Sequence, residues 1–504
     1  MGDSRTKNAS RNMFWGILNR VVVLVLPFIT RTIILYLLGA NYLGVGTLFS
    51  SILSFLSLTE LGFGTAIVYA MYKPIARGDK SKIRTLLNYY KILYRKIGIV
   101  MLAIGTLLVP FIPYLIKGDT PENINIYILY YIYLLNSVVS YFFAGYRSSL
   151  LIAHQREDIS TKVVTAVNIG VQAFQIVALL LTKNFYIYAF VPIIGTLITN
   201  ALYYQLTKKI YPDIQPEGNI DFQTKKNIHK KISGLIGTKL NSIVIHSADT
   251  IVISTFLGLT MTAQYGNYYL IFNAVCGIIG VLFSAITAGI GNKLVMDSIE
   301  ENYKLFCRLS YLNAAIVCWG SCCFLCLYEP FMTVWVKKDL CLGTAFVILM
   351  VLYFYIYQIQ KTILTFKDAA GLWNMDKLRP YVSMIINLVS NIILVNFIGI
   401  YGIVISTIIA FFISLPWVNK VLFDNLFHMR PIRNLVGIGG YFVLTMIAAV
   451  ATYFVCMICS DGLIGIIQRF MICCIIPNII FVLATLRSDE FKYWKSFALN
   501  MIKK

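Results

Sequence analysis

Charged residues are scarce in this chain. Asp, Glu, Lys and Arg make up 13% of its 504 residues, and 22 carboxylates stand against 43 basic side chains. A water-soluble chain of this size needs far more polar surface to cover its core. Long hydrophilic stretches are missing as well. The longest runs from Thr207 to Lys231, which excludes a separate soluble catalytic domain. No phosphate-binding loop of the form GxxxxGKS or GxxxxGKT occurs, so direct use of ATP by this chain is excluded. Loops expected outside the membrane are short. The longest, Glu329 to Gly343, holds neither His nor Arg, and so offers little to a membrane polysaccharide polymerase or ligase.

Apolar residues are abundant, at 58% of the chain. Runs of 18 or more recur along its whole length, which defines an all-α polytopic membrane protein. Fourteen transmembrane helices are predicted, with cores at 13–38, 43–71, 87–112, 125–150, 163–182, 186–206, 233–257, 267–292, 306–328, 344–366, 381–397, 401–419, 434–457 and 463–486. The leader "MGDSRTKNASRN" precedes an apolar run too long for a signal peptide, so no cleavable leader is expected.

Basic residues sort these spans. With the N-terminus inside, 29 of the 43 Lys and Arg fall on cytoplasmic segments, among them "KPIARGDKSKIR", "KKNIHKK", "KLRP" and "HMRPIR". Outer loops hold four: Lys117, Lys183, Lys337 and Lys338. This is a positive-inside pattern with both termini cytoplasmic. It explains the formal net charge of +21 through the anionic inner leaflet, without nucleic acid.

An internal repeat is visible. Gly39 in "YLLGANYLGVG" matches Gly258 in "TFLGLTMTAQYG", and Asn168 in "VVTAVNIGV" matches Asn387 in "SMIINLVSN", both at an offset of 219. The expected organisation is a lobe of six spans over 1–206, a basic cytoplasmic linker over 207–232, and a second six-span lobe over 233–424. Spans 13 and 14 with a basic tail fill 425–504. Parallel copies of this kind are related by an axis along the membrane normal.

The first span, "FWGILNRVVVLVLPFITRTIILYLLGA", carries Arg20, Pro27 and Arg31. An arginine at mid-membrane costs about 2.5–3.5 kcal/mol on insertion scales, and such residues face a bundle interior or a watery cavity. At about 100° per residue the three fall on one stripe, the arginines about 16 Å apart. Arg20 lies near the cytoplasmic end and could instead snorkel to the headgroups. The repeat carries Arg20 onto Lys239, Pro27 onto His246, and Arg31 onto Thr250 beside Asp249. Arg20, Arg31, Lys239 and His246 are therefore the candidate substrate-binding cations, suited to an anionic ligand in a shared interior. Glu60 in "LTELGFG" and Asp249 are candidates for ion coupling. Arg147 and Lys361 come late in spans 4 and 10, and either reach the cytoplasmic headgroups or face the lumen. The cysteines of "CWGSCCFLC" and "CMIC" read as small apolar residues of membrane helices. No His or carboxylate accompanies them, so neither a metal nor another cofactor is expected.

Together these features resemble the oligosaccharide flippases of polysaccharide biosynthesis, within the multidrug/oligosaccharidyl-lipid/polysaccharide exporter superfamily. The likeness rests on "LPFITRTIILYLLGANYLGVGTLFSSILSFLSLTELGFGTAIV" (Leu26 to Val68) and "ADTIVISTFLGLTMTAQYGNYYLIFNAV" (Ala248 to Val275). It implies two lobes in a V-shaped arrangement with alternating access. The implied cargo is a polyprenyl-pyrophosphate-linked oligosaccharide, moved to the outer leaflet of a bacterial plasma membrane for surface polysaccharide. Arg20, Arg31 and Lys239 would then neutralise the headgroup. Glycosyltransferases and a glycan polymerase are the expected partners, beside membrane lipids. A multidrug exporter and a peptidoglycan-precursor flippase are the alternatives within the superfamily. Arginines in span 1, in place of the acid common in drug exporters, argue against cationic drugs.

Overall fold

The backbone is described from Gly2 to Ile502, except at 61, 119 and 337. Side chains are not described at 2–10, 12–14, 17, 58, 59, 227, 229–239, 242, 246, 288, 501 and 502. In this computed structural model 87% of the chain is helix, with no strand among the described residues. The helices are α1 (Gly2–Leu37), α2 (Ala40–Leu56), α3 (Phe63–Arg77), α4 (Lys80–Leu107), α5 (Ile126–Phe142), α6 (Ser148–Ala153), α7 (Glu157–Thr182) and α8 (Phe185–Ile210). Then come α9 (Phe222–Leu257), α10 (Leu259–Met296), α11 (Ile299–Val336), α12 (Thr344–Ile359), α13 (Lys361–Ala369), α14 (Arg379–Ile398) and α15 (Ile400–Leu422). The last are α16 (Ile432–Cys456), α17 (Gly462–Thr485) and α18 (Asp489–Ile502).

By length and apolarity ten of the described helices can cross a membrane singly, and up to twelve spans result when two bent pairs are counted. One bent pair is α4 with the turn Val109–Leu115, the other is α5 with Gly145–Ala153, and their bends are 56° and 53°. Two shorter apolar helices, Ala40–Leu56 and Ile243–Leu257, occupy the remaining expected spans. Fourteen spans are thus not all met by single long helices. The second is broken: α2 ends in a tight turn, Ser57–Glu60, and α3 starts after Gly62, which takes a left-handed φ of 75°. Helix starts use the expected chemistry. Asp79, Asn125, Asn184 and Asp221 each accept a hydrogen bond from a first-turn backbone N–H, which satisfies donors that the helix itself leaves free.

The chain divides into two compact units, Met1–Ala263 and Gln264–Lys504. In the first, α2 packs its buried Leu48, Phe49 and Ile52 against Leu129, Tyr130 and Leu134 of α5. Lipid is as apolar as these side chains, so close packing and internal hydrogen bonds hold such helices together. Tyr130 donates to the carbonyl of Gly105 at 2.9 Å. The repeat is visible in the backbone. Gly39 has φ 104° and ψ 172°, Gly258 has φ 90° and ψ 177°, and a new helix begins after each. Only glycine enters that region without strain. Thr260 donates to Asn41 at 2.6 Å; the two residues are one repeat offset apart.

The end of α9 is gripped by Lys117. Its backbone N–H donates to the Ser254 carbonyl at 3.0 Å and its ammonium to the Phe256 carbonyl at 2.7 Å, a cation placed on a helix C-terminus. Gly44 sits so close that a Cβ there would lie 2.2 Å from the Leu259 carbonyl oxygen. Gly44→Ala is therefore expected to cost about 1–3 kcal/mol through forced backbone separation. Thermal unfolding of the purified protein checks this, with Gly170→Ala inside α7 as a control expected to gain about 0.5–1 kcal/mol, since nothing lies within 4 Å of a Cβ there.

In the second unit α11 is the spine, packed by α12, α16, α17 and α18. Asn313 of α11 donates to the carbonyls of Gln358 and Ile359 at 2.9 and 3.2 Å, where α12 gives way to α13. Phe306, Phe366, Phe423 and Phe427 form an aromatic cluster near the other end.

Candidate functional site: a hydroxyl-lined cavity beside Arg31

The first helix sorts its side chains by face. Leu18, Val21, Val25, Ile29 and Tyr36 are exposed. At about 100° per residue these five form one apolar stripe, as lipid requires, while Val23, also exposed, lies off it. Arg20, Pro27, Arg31 and the buried Ile34 lie on the opposite side. Pro27 lacks an N–H and so leaves a carbonyl without its helical partner. Thr30 turns its hydroxyl back onto the Leu26 and Pro27 carbonyls. Both arginines are half-buried. The Nε of Arg20 is buried with no hydrogen-bond partner among the described residues. Its neighbour Asn19 accepts from Thr165 at 3.0 Å, which ties α1 to α7.

Arg31 lies within electrostatic range of Tyr133 on α5 and Tyr188 on α8. Those two tyrosines line a cavity of about 470 Å³ inside the first unit, with Asn136, Ser137, Gln175 and Tyr141. Ser50 and Ser54 of α2 and Ser57, just past its end, line it too, a stripe of one hydroxyl per turn. Gln175 donates to the Tyr188 carbonyl at 2.8 Å, and Thr196 donates to Asn136 at 3.2 Å. A second cavity of about 370 Å³ shares Asn136 and Pro192 with the first and adds Asn168, Thr199 and Asn200. Asn168 is one of the two repeat markers.

Glu60 lies at the break between α2 and α3. Tyr141 donates to its carboxylate at 2.5 Å, and Tyr94 packs on Tyr141 with ring centroids 4.4 Å apart. The cavity-lining Tyr141 thus connects Glu60 to the cavity that Tyr133 and Tyr188 also line. Asp249 is fully buried on α9, which in this structure belongs to the first unit. Lys239 and His246 lie outside the residues whose side chains are described.

The two remaining candidates are elsewhere. Arg147 is buried at the bend after α5 and donates to Thr207 at 3.2 Å and Gln215 at 2.9 Å. Its guanidinium stacks over Tyr204 at 4.7 Å. These contacts make it a brace between helix ends, away from the cavity beside Arg31. Lys361 opens α13 in the second unit, within electrostatic reach of Cys276. Sequence reasoning passed over Ser50, Ser54, Ser57, Asn136 and Gln175. The serines do carry a signal, since i, i+4 and i+7 mark one helix face.

A family model described as polysaccharide biosynthesis protein matches residues 9–289. No curated protein sequence matches this chain at a significant level. Among solved structures, the lipid II flippase MurJ in an inward closed conformation superposes with a TM-score of 0.67 at 14% identity, covering 94% of this chain and 98% of that one. An inward-facing multidrug resistance MATE transporter of the MOP superfamily has a TM-score of 0.60 at 16% identity, covering 78% and 93%. The Vibrio cholerae MATE transporter VcmN follows at 0.54 and 13%, covering 85% and 99%. At such identities the likeness shows the fold alone, that of MurJ and MATE transporters. With more than half of its length matched by the family model, this multi-pass chain belongs to the polysaccharide biosynthesis protein family.

Proposed function

We propose that this protein is a flippase for a polyprenyl-pyrophosphate-linked oligosaccharide, working by alternating access in the plasma membrane of a bacterium, with both termini cytoplasmic. The observation that carries this reading is Arg31, turned away from the exposed apolar face of α1 and within electrostatic range of Tyr133 and Tyr188, which line a cavity rich in hydroxyl and amide groups. A guanidinium is always charged and offers forked donors that match phosphate oxygens. Tyrosine, serine and asparagine groups suit sugar hydroxyls, while the polyprenyl tail stays in lipid. Arg20 extends the positive stripe toward the cytoplasmic mouth, and Lys239 and His246 are assigned the same task from α9. Glu60, held by Tyr141, is the carboxylate we assign to taking up a coupling cation or proton, with Asp249 as the second such group.

No chemical step is assigned to the chain, whose structural relatives are transporters and flippases. Glycosyltransferases that build the cargo and a polymerase that consumes it are the proposed partners. The near-complete superposition on the lipid II flippase favours one second reading, a flippase for the peptidoglycan precursor. Deleting the gene separates the two. The first reading expects viable cells that lack surface polysaccharide and accumulate its lipid-linked repeat unit on the inner leaflet. Lysis with accumulated peptidoglycan precursor would establish the second instead.

A further inference from the structure

Three cysteines from three different helices meet at one point. Cys326 of α11, Cys456 of α16 and Cys473 of α17 are all buried, and their sulfurs lie within 4.8 Å of one another. No pair is joined as a disulfide. Cys323, one turn before Cys326, packs on the same cluster with Leu325, Tyr453 and Ile472. Only Cys326 and Cys323 are close in sequence, so a chance run of small residues on one helix does not explain the convergence.

A cavity of about 450 Å³ opens onto the cluster. It is lined by Cys326 and Cys456 together with Thr333, Asp461 and Arg469. Arg469 lies one turn before Cys473 on α17, and its guanidinium donates to the Ser460 carbonyl at 2.9 Å. The cluster therefore has an approach through a cavity whose charged lining is Arg469 and Lys338 with Glu329 and Asp461.

We propose that Cys326, Cys456 and Cys473 form a binding site for a single thiophilic divalent cation of the zinc class, clamping α16 and α17 onto α11. Soft thiolate ligands select such ions. Tetrahedral coordination at a Zn–S length of about 2.3 Å places sulfurs about 3.8 Å apart, so the cluster needs to contract by at most about 1 Å. Three S–H bonds give way to three S–M bonds, and the three protons leave through the cavity. Three thiolates and a divalent ion carry one net negative charge, less than the three that the thiolates alone would place there. The fourth position opens toward the cavity, where water or Cys323 completes the shell. Two of the three helices, α16 and α17, lie outside the twelve-span repeat, and all three belong to the second unit, whereas the cavity near Arg31 is lined by residues of the first.

The test uses untagged full-length protein, purified under reducing conditions and loaded with Zn(II), then with Co(II) as a coloured stand-in. About one equivalent of zinc per chain is expected to survive desalting, and Co(II) to show the visible bands of a tetrahedral thiolate site. Cys473→Ser and Cys456→Ser should each lower retained zinc about tenfold or more, while Cys341→Ser, on the loop before α12, should leave it unchanged. Zinc should also shield three thiols of the unsubstituted protein from a small alkylating reagent, and a chelator should restore their reaction. That measurement stands even where a variant fails to fold. Zinc retention no higher than in Cys473→Ser, or a Cys326–Cys456 disulfide as the resident state in native membranes, would overturn the proposal.

Discussion

Arg31→Ala is expected to abolish surface polysaccharide while the protein stays in the membrane at its normal level. A charge-assisted hydrogen bond contributes about 1.5–3 kcal/mol, so losing one such contact to the headgroup slows transport about 10- to 100-fold. Losing a forked pair slows it further. Arg31→Lys keeps the charge but not the fork, and should retain a measurable fraction of polymer. Leu18→Ala, on the exposed face of the same helix, should behave as the unsubstituted protein. Quantitative blotting of membranes alongside polymer staining checks all three. Normal polymer with Arg31→Ala at normal expression would remove the cationic chamber from the account.

The second large effect concerns stability. Asp376, in the bend between α13 and α14, is 2% exposed and lies between two cations. Lys367 donates to it at 2.9 Å, and Arg379 makes two bonds to it, both of 2.7 Å. Arg379 also donates to Ser414 on α15 at 2.7 Å, so the network fastens three helices. Asp376→Ala leaves the buried Arg379 without its anion, and Lys367 with only the half-exposed Asp368 at 3.2 Å, and is expected to cost about 3–5 kcal/mol. Replacing one partner of such a network is far costlier than the net worth of the intact set.

Burial pushes the Asp376 carboxyl up, but the hydrogen bonds and charges of Arg379 and Lys367 outweigh this and hold it below the usual carboxylate range. The folded-state value thus lies under the unfolded one. The stabilisation is complete above the unfolded carboxylate value near 3.8, and is lost as pH falls through the depressed folded value. Thermal unfolding should therefore show an acid-side decline below about pH 4 that is weaker in Asp376→Asn. A decline of equal size in both proteins would show that other carboxylates govern acid stability.

Much of the chamber could be read from residue spacing. The 100° step of a helix put Arg20, Pro27 and Arg31 on one stripe, and the structure sets that stripe opposite the exposed Leu18, Val21, Val25 and Ile29. The glycine match at an offset of 219 became a shared positive-φ corner at Gly39 and Gly258. What escaped depends on helices meeting. Glu60 was assigned to the middle of a span, yet it lies at a break, because Gly62 lets the chain turn there. Arg379 reads as one more basic loop residue in "KLRP", but Asp376 draws it inside. The cysteines of α11 and α16 were weighed within their own stretches. Cys473 brings them together only through the packing of α17.

The central claim is that Arg31 recognises the pyrophosphate headgroup of a lipid carrier. Native mass spectrometry of the purified full-length protein, titrated with polyprenyl pyrophosphate and with polyprenyl monophosphate, tests it most directly. The account predicts that the pyrophosphate binds about tenfold more tightly or better, and that Arg31→Ala removes this preference while leaving binding through the tail. Equal affinity for the two lipids, or a preference that survives in Arg31→Ala, would contradict it.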